Sequence, residues 1–372
     1  MTKRQDILDE LSLSRTLVNE SLSGMDFSDE DLSGCSFMKV DFSETKLIKT
    51  NFTSCQFAEC DFTKADLTGA IALSSAWLNP NFSDAIFINL DLRSSMLMNS
   101  KIVKGQLQGS NMLNSIWHNV ELPGFRIEGE LSRFVANDCV FDDFKGKDLI
   151  MRRCIFHKCS FINADFSNAC LNEITVTGGD FNGTIFDNII IDKALFQEVD
   201  FSNRDFSKLK IFGVQLIGCT LVNVNFSNAE LEKCGFIKAN MVGANFRGAR
   251  AIQSNFSEAN VSNTDMSKAD LQGTIWQAAQ ATEANFQGSN LEGSAFIKAE
   301  LIRSNLDGAR LIYVDFSGAN VTGAKLTNCD LYMAKLDNIK EEDSDWSGSD
   351  RRRAQAPDEP KIEAEQWPTA RR

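Results

Sequence analysis

The chain has 372 residues, with 38 basic and 51 acidic side chains, two histidines and a formal net charge of −13. That balance excludes a broadly basic nucleic-acid surface. Five prolines in a chain rich in strand-compatible residues exclude a mainly disordered one. No run of about 18 apolar residues occurs, so no membrane span is expected. The acid-bearing start MTKRQDILDELSLSR does not read as a secretory signal.

Residues 1–16 come first. Ile7, Leu8 and Leu11 fall on one side of a short helix over residues 2–13, which is expected to cap the strand edge that follows. From Leu17 to Ile127 every fifth residue is bulky and apolar: of 23 positions only Ala72 is small. The same spacing runs from Phe156 to Leu336, where 35 of 37 positions are Phe, Leu, Ile, Val, Met or Trp, and Ala251 and Ala281 are the exceptions. The two frames hold 23 of the 28 phenylalanines. Neither a helix period of 3.6 nor a strand period of 2 places apolar residues this way, so the chain is a repeat with a period of five.

A second position is also selective. Two residues before each centre stands a small side chain, as at Ala164, Ala169, Ala239, Ala244, Ala259, Ala269 and Ala319. Asp or Asn often stands just before the centre, as in Asn245-Phe246, Asn255-Phe256 and Asp315-Phe316. One large and one small inward residue per five fit a narrow tube with one short side per repeat, and the other three residues face solvent. The units Ala244-Asn245-Phe246-Arg247-Gly248 and Ala269-Asp270-Leu271-Gln272-Gly273 resemble the motif of the pentapeptide-repeat family over roughly residues 17–336.

The resemblance implies an all-β fold, a right-handed quadrilateral β-helix with four repeats per coil. The residues support a twenty-residue coil independently. Every fourth centre from Leu171 reads Leu, Ile, Ile, Leu, Ala, Leu, Leu, Leu, Leu, and the neighbouring column begins Phe166, Phe186, Phe206, Phe226, Phe246. Like stacking on like is what a solenoid core shows. At about 4.8 Å per coil, the later frame predicts a stack on the order of 43 Å and the earlier one about 27 Å.

The frame changes across residues 128–155, near Pro123-Gly124, Gly129 and Gly146. This segment is expected to be an irregular break. Two short insertions in one bent solenoid, or two rods meeting at a kink, would both account for it. The second solenoid part is placed at 156–337, and residues 338–372 read as a flexible charged tail.

Eight of the ten cysteines (Cys35, Cys55, Cys60, Cys154, Cys159, Cys219, Cys234 and Cys329) take the small inward position and are expected to be buried reduced thiols. No metal site is expected, because ligands at zinc spacings are lacking. His118 and His157 each follow a centre and should be exposed, in different parts of the repeat. No nucleophile elbow, phosphate loop or dinucleotide fingerprint occurs, so no catalytic or cofactor-binding residue is expected. Glycines such as Gly243, Gly248, Gly273, Gly288 and Gly293 fall at outward turns. Ile174, Ile189, Arg204 and Leu209 depart from the small inward type and suggest a locally widened wall.

Recognition remains. Phe212, Ile252, Ile312, Tyr313, Tyr332 and Met333 occupy outward positions on the aliphatic side and form a candidate partner-binding patch. The tail, through Trp346 or Trp367, or a homodimer through the C-terminal coils, would also cover such a patch. The expected role is a non-catalytic protein-interaction scaffold or adaptor with a protein partner and no direct nucleic-acid contact. The resemblance implies two further readings, a link to a bacterial secretion system and a DNA mimic that binds gyrase and gives quinolone protection or inhibition. Charge bears on the second: residues 151–336 hold 19 acids and 17 bases, far fewer net charges than duplex DNA of that length. A cytoplasmic location is expected, with export lacking a cleavable signal as the alternative.

Overall fold

An inward side chain at every fifth residue makes the backbone turn four times in twenty residues, and the chain then lies on top of itself. The computed structural model describes residues 3–102, 109–127, 129–207 and 209–356. It divides into two units, Met1–Ile190 and Ile191–Arg372, each a right-handed four-sided β-helix.

In the first unit the helix Lys3–Ser14 buries Ile7 and Leu11. Arg4 fixes it over the first coil. Its Nε donates to the Asp26 carbonyl at 2.6 Å, and its guanidinium pairs with Glu30 and lies 5.7 Å from the Phe27 ring centre. The strands on one side stack in parallel at a twenty-residue step, with Leu17 opposite Phe37, Phe37 opposite Phe57 and Phe57 opposite Trp77. Their rings follow: Phe37 and Phe57 stack at 5.1 Å, Phe57 and Trp77 at 4.0 Å.

Residues 129–155 correct the expected break. They hold the strands Glu130–Ser132, Val135–Asn137 and Ile150–Arg152 in parallel register. Ile116 pairs Val135, a step of nineteen, so one coil is shortened by one residue rather than lengthened by insertions. The bulky signal vanishes for a separate reason. At Phe134-Val135-Ala136 and Phe144-Lys145-Gly146 the large and small inward residues have exchanged places, and both phenylalanines are buried. A Cβ built on Gly146 would lie 2.4 Å from the Phe144 ring, so that ring occupies the space the centre residue usually fills.

In the second unit single parallel bridges carry the stack, from Gly235 through Asn255, Ile275, Ala295 and Asp315 to Lys335. Phe236, Phe256, Trp276 and Phe296 form one ring column, with centroids 4.9, 4.1 and 5.3 Å apart. The tail begins later than its composition suggests. Asn320 bridges Lys340, Lys325 bridges Asp345, and the Ser349 hydroxyl donates to the Leu326 carbonyl at 2.6 Å. Residues 338–356 therefore add a further coil, ending in the short 3-10 turn Arg351–Arg353, because their outward charges leave the stacking backbone intact. Residues 357–372 of the expected tail lie outside the described residues.

The Asp and Asn before each centre act locally. Their side-chain oxygen accepts the backbone N–H two residues on, at 2.9 Å from Asp41 to Ser43 and 3.0 Å from Asn245 to Arg247. These Asx turns satisfy backbone donors at the corners that carry Asp or Asn. The residue two after the centre takes a left-handed conformation, as at Glu44 after Asp41-Phe42, and Gly243 after Asn240-Met241 has φ +70°. Glycine is favoured at that last site because a Cβ there would meet Asn223 Oδ1 at 2.6 Å.

This packing is open to two tests. Gly146→Ala should destabilise the chain by about 1–3 kcal/mol through overpacking. The double variant Phe144→Ala with Gly146→Phe should recover most of that loss, measured by denaturant unfolding; equal losses would refute the exchange of places. The second test concerns acid. Hydrogen bonds from the hydroxyl and N–H of the serine two residues on hold Asp31, Asp165 and Asp345 below the ordinary 3.8. Thr327, Asn328 and Gln287 hold Asp307 down to about 2. A carboxylate depressed by folding contributes stability that is complete above its unfolded value and is lost as pH falls through the folded value. Melting temperature should hold down to about pH 4 and then drop toward pH 2; a flat profile across that window would contradict it.

Candidate partner-binding surface

Two interior voids are about 10 Å³ each, one lined by Trp77, Phe82, Phe87 and their neighbours, the other by Met112, Trp117, Phe144 and theirs. Either holds at most about one water. The only buried indole N–H without a hydrogen-bond partner among the described residues is that of Trp117. Its counterparts in Trp77 and Trp276 donate to the hydroxyl two residues earlier, at 2.7 and 2.8 Å.

All ten cysteines are free thiols, nine buried and Cys170 half-buried. Cys139 joins the eight expected inward thiols; it lies in the segment whose pattern suggests a break. Burial pushes the Cys55 and Cys219 thiols up to about 12 and those of Cys60 and Cys154 up to about 11. Cys159 is raised as well, first by its hydrogen bond with Cys139 and then by burial. Thiolate is the reactive form, so these groups are inert near neutral pH. In native protein at pH 7.5 or so, iodoacetamide should label Cys170 first and leave the buried thiols largely unmodified until denaturant is added. Rapid labelling of Cys55 or Cys219 would contradict the packing.

The histidines differ from expectation. His118 and His157 follow Trp117 and Phe156 as expected, but they lie on the same sheet face with Asn137 between them. His118 Nδ1 is 3.7 Å from Asp138 Oδ2, both half-exposed. No group of three His, Cys, Asp or Glu is placed to hold a metal ion among the described residues. No helix among them is long and apolar enough to cross a membrane.

The six patch residues all lie in the second unit, and the structure divides them. Ile312, Tyr313, Tyr332 and Met333 form one cluster. Tyr313 and Tyr332, 53% and 43% exposed, meet edge to face at 5.7 Å and 78°. Phe212 stands alone on the same column with Lys233 Nζ 5.3 Å from its ring centre. Ile252 is half-buried. Glu232, Gln272 and Glu292 occupy the intervening positions of that column, so neither joins the tyrosine cluster.

Tyr313 and Met333 sit at the left-handed turn position, with φ +58° and +56°. Earlier coils place Gly213, Lys233, Gln253, Gly273 and Gly293 there. A bulky side chain at such a φ costs about 1–2 kcal/mol, so Tyr313 and Met333 are held there against local preference.

The last coil borders the cluster without covering it. The Met333 N–H donates to the Arg353 carbonyl at 2.8 Å. The Arg353 guanidinium pairs with Asp330 at 2.8 Å and lies 5.5 Å from the Tyr332 ring centre. Trp346 instead follows the Leu326 column, donates to the Ser344 hydroxyl at 2.9 Å and carries Arg351 over its ring at 4.6 Å. Trp367 lies outside the described residues. Composition alone puts Arg353 in the tail; its place twenty residues after Met333 is the signal that assigns it to a coil. Of the irregular wall residues, Ile174 and Ile189 are buried, while Arg204 and Leu209 are half-buried.

Comparison with known proteins gives one family. A family model described as a pentapeptide repeat region matches residues 149–226 and 229–306, and one of pentapeptide repeats in eight copies matches 21–53, 35–71 and 304–340. No curated protein matches significantly. Among solved structures, HetL, a pentapeptide repeat protein involved in heterocyst differentiation regulation from the cyanobacterium Nostoc, is 16% identical. It covers 87% of this chain and 96% of its own, with a TM-score of 0.31. A pentapeptide repeat protein of the Arabidopsis thaliana thylakoid lumen is 28% identical over 28% of this chain and 68% of its own, with a TM-score of 0.23. Full-length QnrB1, a plasmid-mediated fluoroquinolone resistance protein, is 16% identical, covering 88% and 93%, with a TM-score of 0.11.

Proposed function

Because the chain belongs to the pentapeptide-repeat family and its interior is filled by packed side chains, we propose that it is a non-catalytic scaffold that binds a protein partner along a face of its second unit. The observation that carries this reading is the Tyr313–Tyr332 pair, both exposed, with Tyr313 at a left-handed turn position that disfavours a bulky side chain. Paired aromatics beside an arginine have the composition of an interface hot spot. Reduced, buried thiols suit a cytoplasmic setting.

Gyrase-directed DNA mimicry ranks lower on charge. In the second unit outward acids of successive coils are answered by bases, as in Lys238–Glu258 at 3.6 Å, Arg303–Glu283 and Arg310–Glu292 at 2.8 Å. Such cross-coil pairs break up the continuous negative ladder of a duplex. The adaptor of a secretion machine is the same scaffold role with a particular partner, and the same recovery experiment addresses it.

Stability and binding should separate at one residue. Tyr313→Gly removes the strained turn, so its melting temperature should equal or exceed that of the parent. Partner recovery in affinity purification from the native host should fall by about tenfold, and Tyr313→Asp with Tyr332→Asp should abolish it. Unchanged recovery by both variants would refute the cluster. A dimer in sedimentation that dissociates in the Asp variant would assign the surface to a second copy.

A further inference from the structure

The first unit carries a different surface. Its first side consists of the strands Thr16–Val18, Ser36–Met38, Gln56–Ala58, Ala76–Leu78, Met96–Lys101, Ile116–Glu121, Val135–Asn137, Ile155–His157 and Thr175–Thr177. Each shows two outward residues flanking its first buried centre. None of these eighteen positions is Asp, Glu, Lys or Arg. The other three sides of this unit carry charges throughout, among them Asp41, Asp61, Lys46, Asp66, Asp91 and Arg93. Val18, Met38, Leu78, Met96, Ile116 and Ile155 on the first side are each more than two-fifths exposed. The first eight strands place them on a strip about 34 Å long and about 10 Å wide, from seven coil spacings and three residues per strand.

The strip has one charged flank. The adjoining second side holds Asp41, Asp61, Asp84, Asp142, Asp143 and Asp180, and among the described residues no cation is paired with them. Lys64 and Lys101 on that side are already engaged by Glu44 at 3.5 Å and Glu121 at 2.8 Å. The opposite edge is neutral over its central coils, at Gly34, Ser54, Ser74, Ser94 and Asn114. The corner toward the acids carries Lys39 paired with Glu59 at 3.6 Å, then an asparagine ladder, Asn99 to Asn79 at 2.9 Å and Asn119 to Asn99 at 3.0 Å, then Asp138 and Lys158.

We infer that this uncharged strip is a docking site for an amphipathic α-helix of a partner protein, apolar on its buried stripe and basic along one flank. An α-helix is about 10 Å across, which matches the strip, and about 22 residues span its length. Lysines or arginines on one flank reach round the corner to the aspartates, while the other flank meets a neutral edge. A second copy fits less well. Two strips face to face would bring no bases to the aspartate flank, because the second copy carries the same uncharged strip and the same aspartates. The site neither uses nor requires the Tyr313 cluster.

The test uses the full chain and a fluorescein-labelled helical peptide of about 22 residues, with Leu at i, i+3, i+4 and i+7 spacing and Lys along one flank, read by anisotropy. Saturable 1:1 binding is expected. Leu78→Glu with Met96→Glu should weaken it by about tenfold or more, and Tyr313→Asp with Tyr332→Asp should leave it unchanged. Asp84→Lys with Asp143→Lys should transfer preference to a peptide with Glu in place of Lys. Leu78 and Met96 point outward, so the double variant should keep the parent's melting curve; if it does not, Met38→Glu alone gives the same reading. Equal binding of a scrambled peptide of the same composition would overturn the proposal, as would indifference to the glutamate variants. So would a dimer in sedimentation that Leu78→Glu dissociates.

Discussion

The structure depends on a constant cross-section. Each coil must offer the next one the same four-sided outline, or the cross-coil hydrogen bonds that run at 2.6–3.0 Å through most of the chain would lose their partners. What is kept constant along the stack is therefore the filling of each coil rather than the identity of any one residue. Ala72 is followed in its coil by Trp77, Ala281 is preceded by Trp276, and Ala251 lies between Phe246 and Phe256. In each case a large ring stands on an adjacent side of the same coil. The exchanges at Phe134/Ala136 and Phe144/Gly146 do the same within one side. Close packing tolerates a volume that is moved but not one that is lost.

That constraint pushes chemistry to the outside. The inward positions are filled by packed side chains, and burial pushes the thiols of Cys55, Cys60, Cys154 and Cys219 up. Each outward column can vary without disturbing its neighbours, because only the inward pair and the turn are committed to the fold. One side of the first unit carries no Asp, Glu, Lys or Arg at the positions flanking its centres while the next has accumulated aspartate, and one corner of the second unit carries tyrosine where other coils carry glycine. The Asx turns serve both needs, holding the corners with side chains that also solvate the surface.

Much of this is legible in the amino-acid sequence alone. The period of five, the small residue two before the centre and the like-on-like columns specify the coil, because inward packing is read directly from residue size. The segment around residues 128–155 escapes that reading because bulk at the centre is only half of the pattern. Counting the inward pair finds Phe134 with Ala136 and Phe144 with Gly146, and the four-residue step from Ile127 to Leu131 closes the gap. Composition misleads at the C-terminus. Charge at outward positions says nothing about whether the backbone continues to stack, and Trp346, twenty residues after Leu326, is the better guide. The candidate patch is half legible. Register names the outward aromatics, but their division into a tyrosine cluster, a separate Phe212 and a half-buried Ile252 depends on which side chains lean toward one another.

The uncharged side of the first unit is hidden in the sequence for a related reason. No single residue on it is unusual, and scattered exposed leucines and methionines need no explanation. Its significance lies in an absence sustained along one column after another, visible only once the twenty-residue register assigns outward residues to sides. An exposed flat sheet without charge ordinarily invites edge or face association. Here the coils protect every strand edge along the stack, so what is exposed is side-chain surface rather than unpaired backbone. Recognition of such a surface must then come from shape, apolar contact and the charge of the neighbouring side, which is the combination an amphipathic helix with one basic flank supplies.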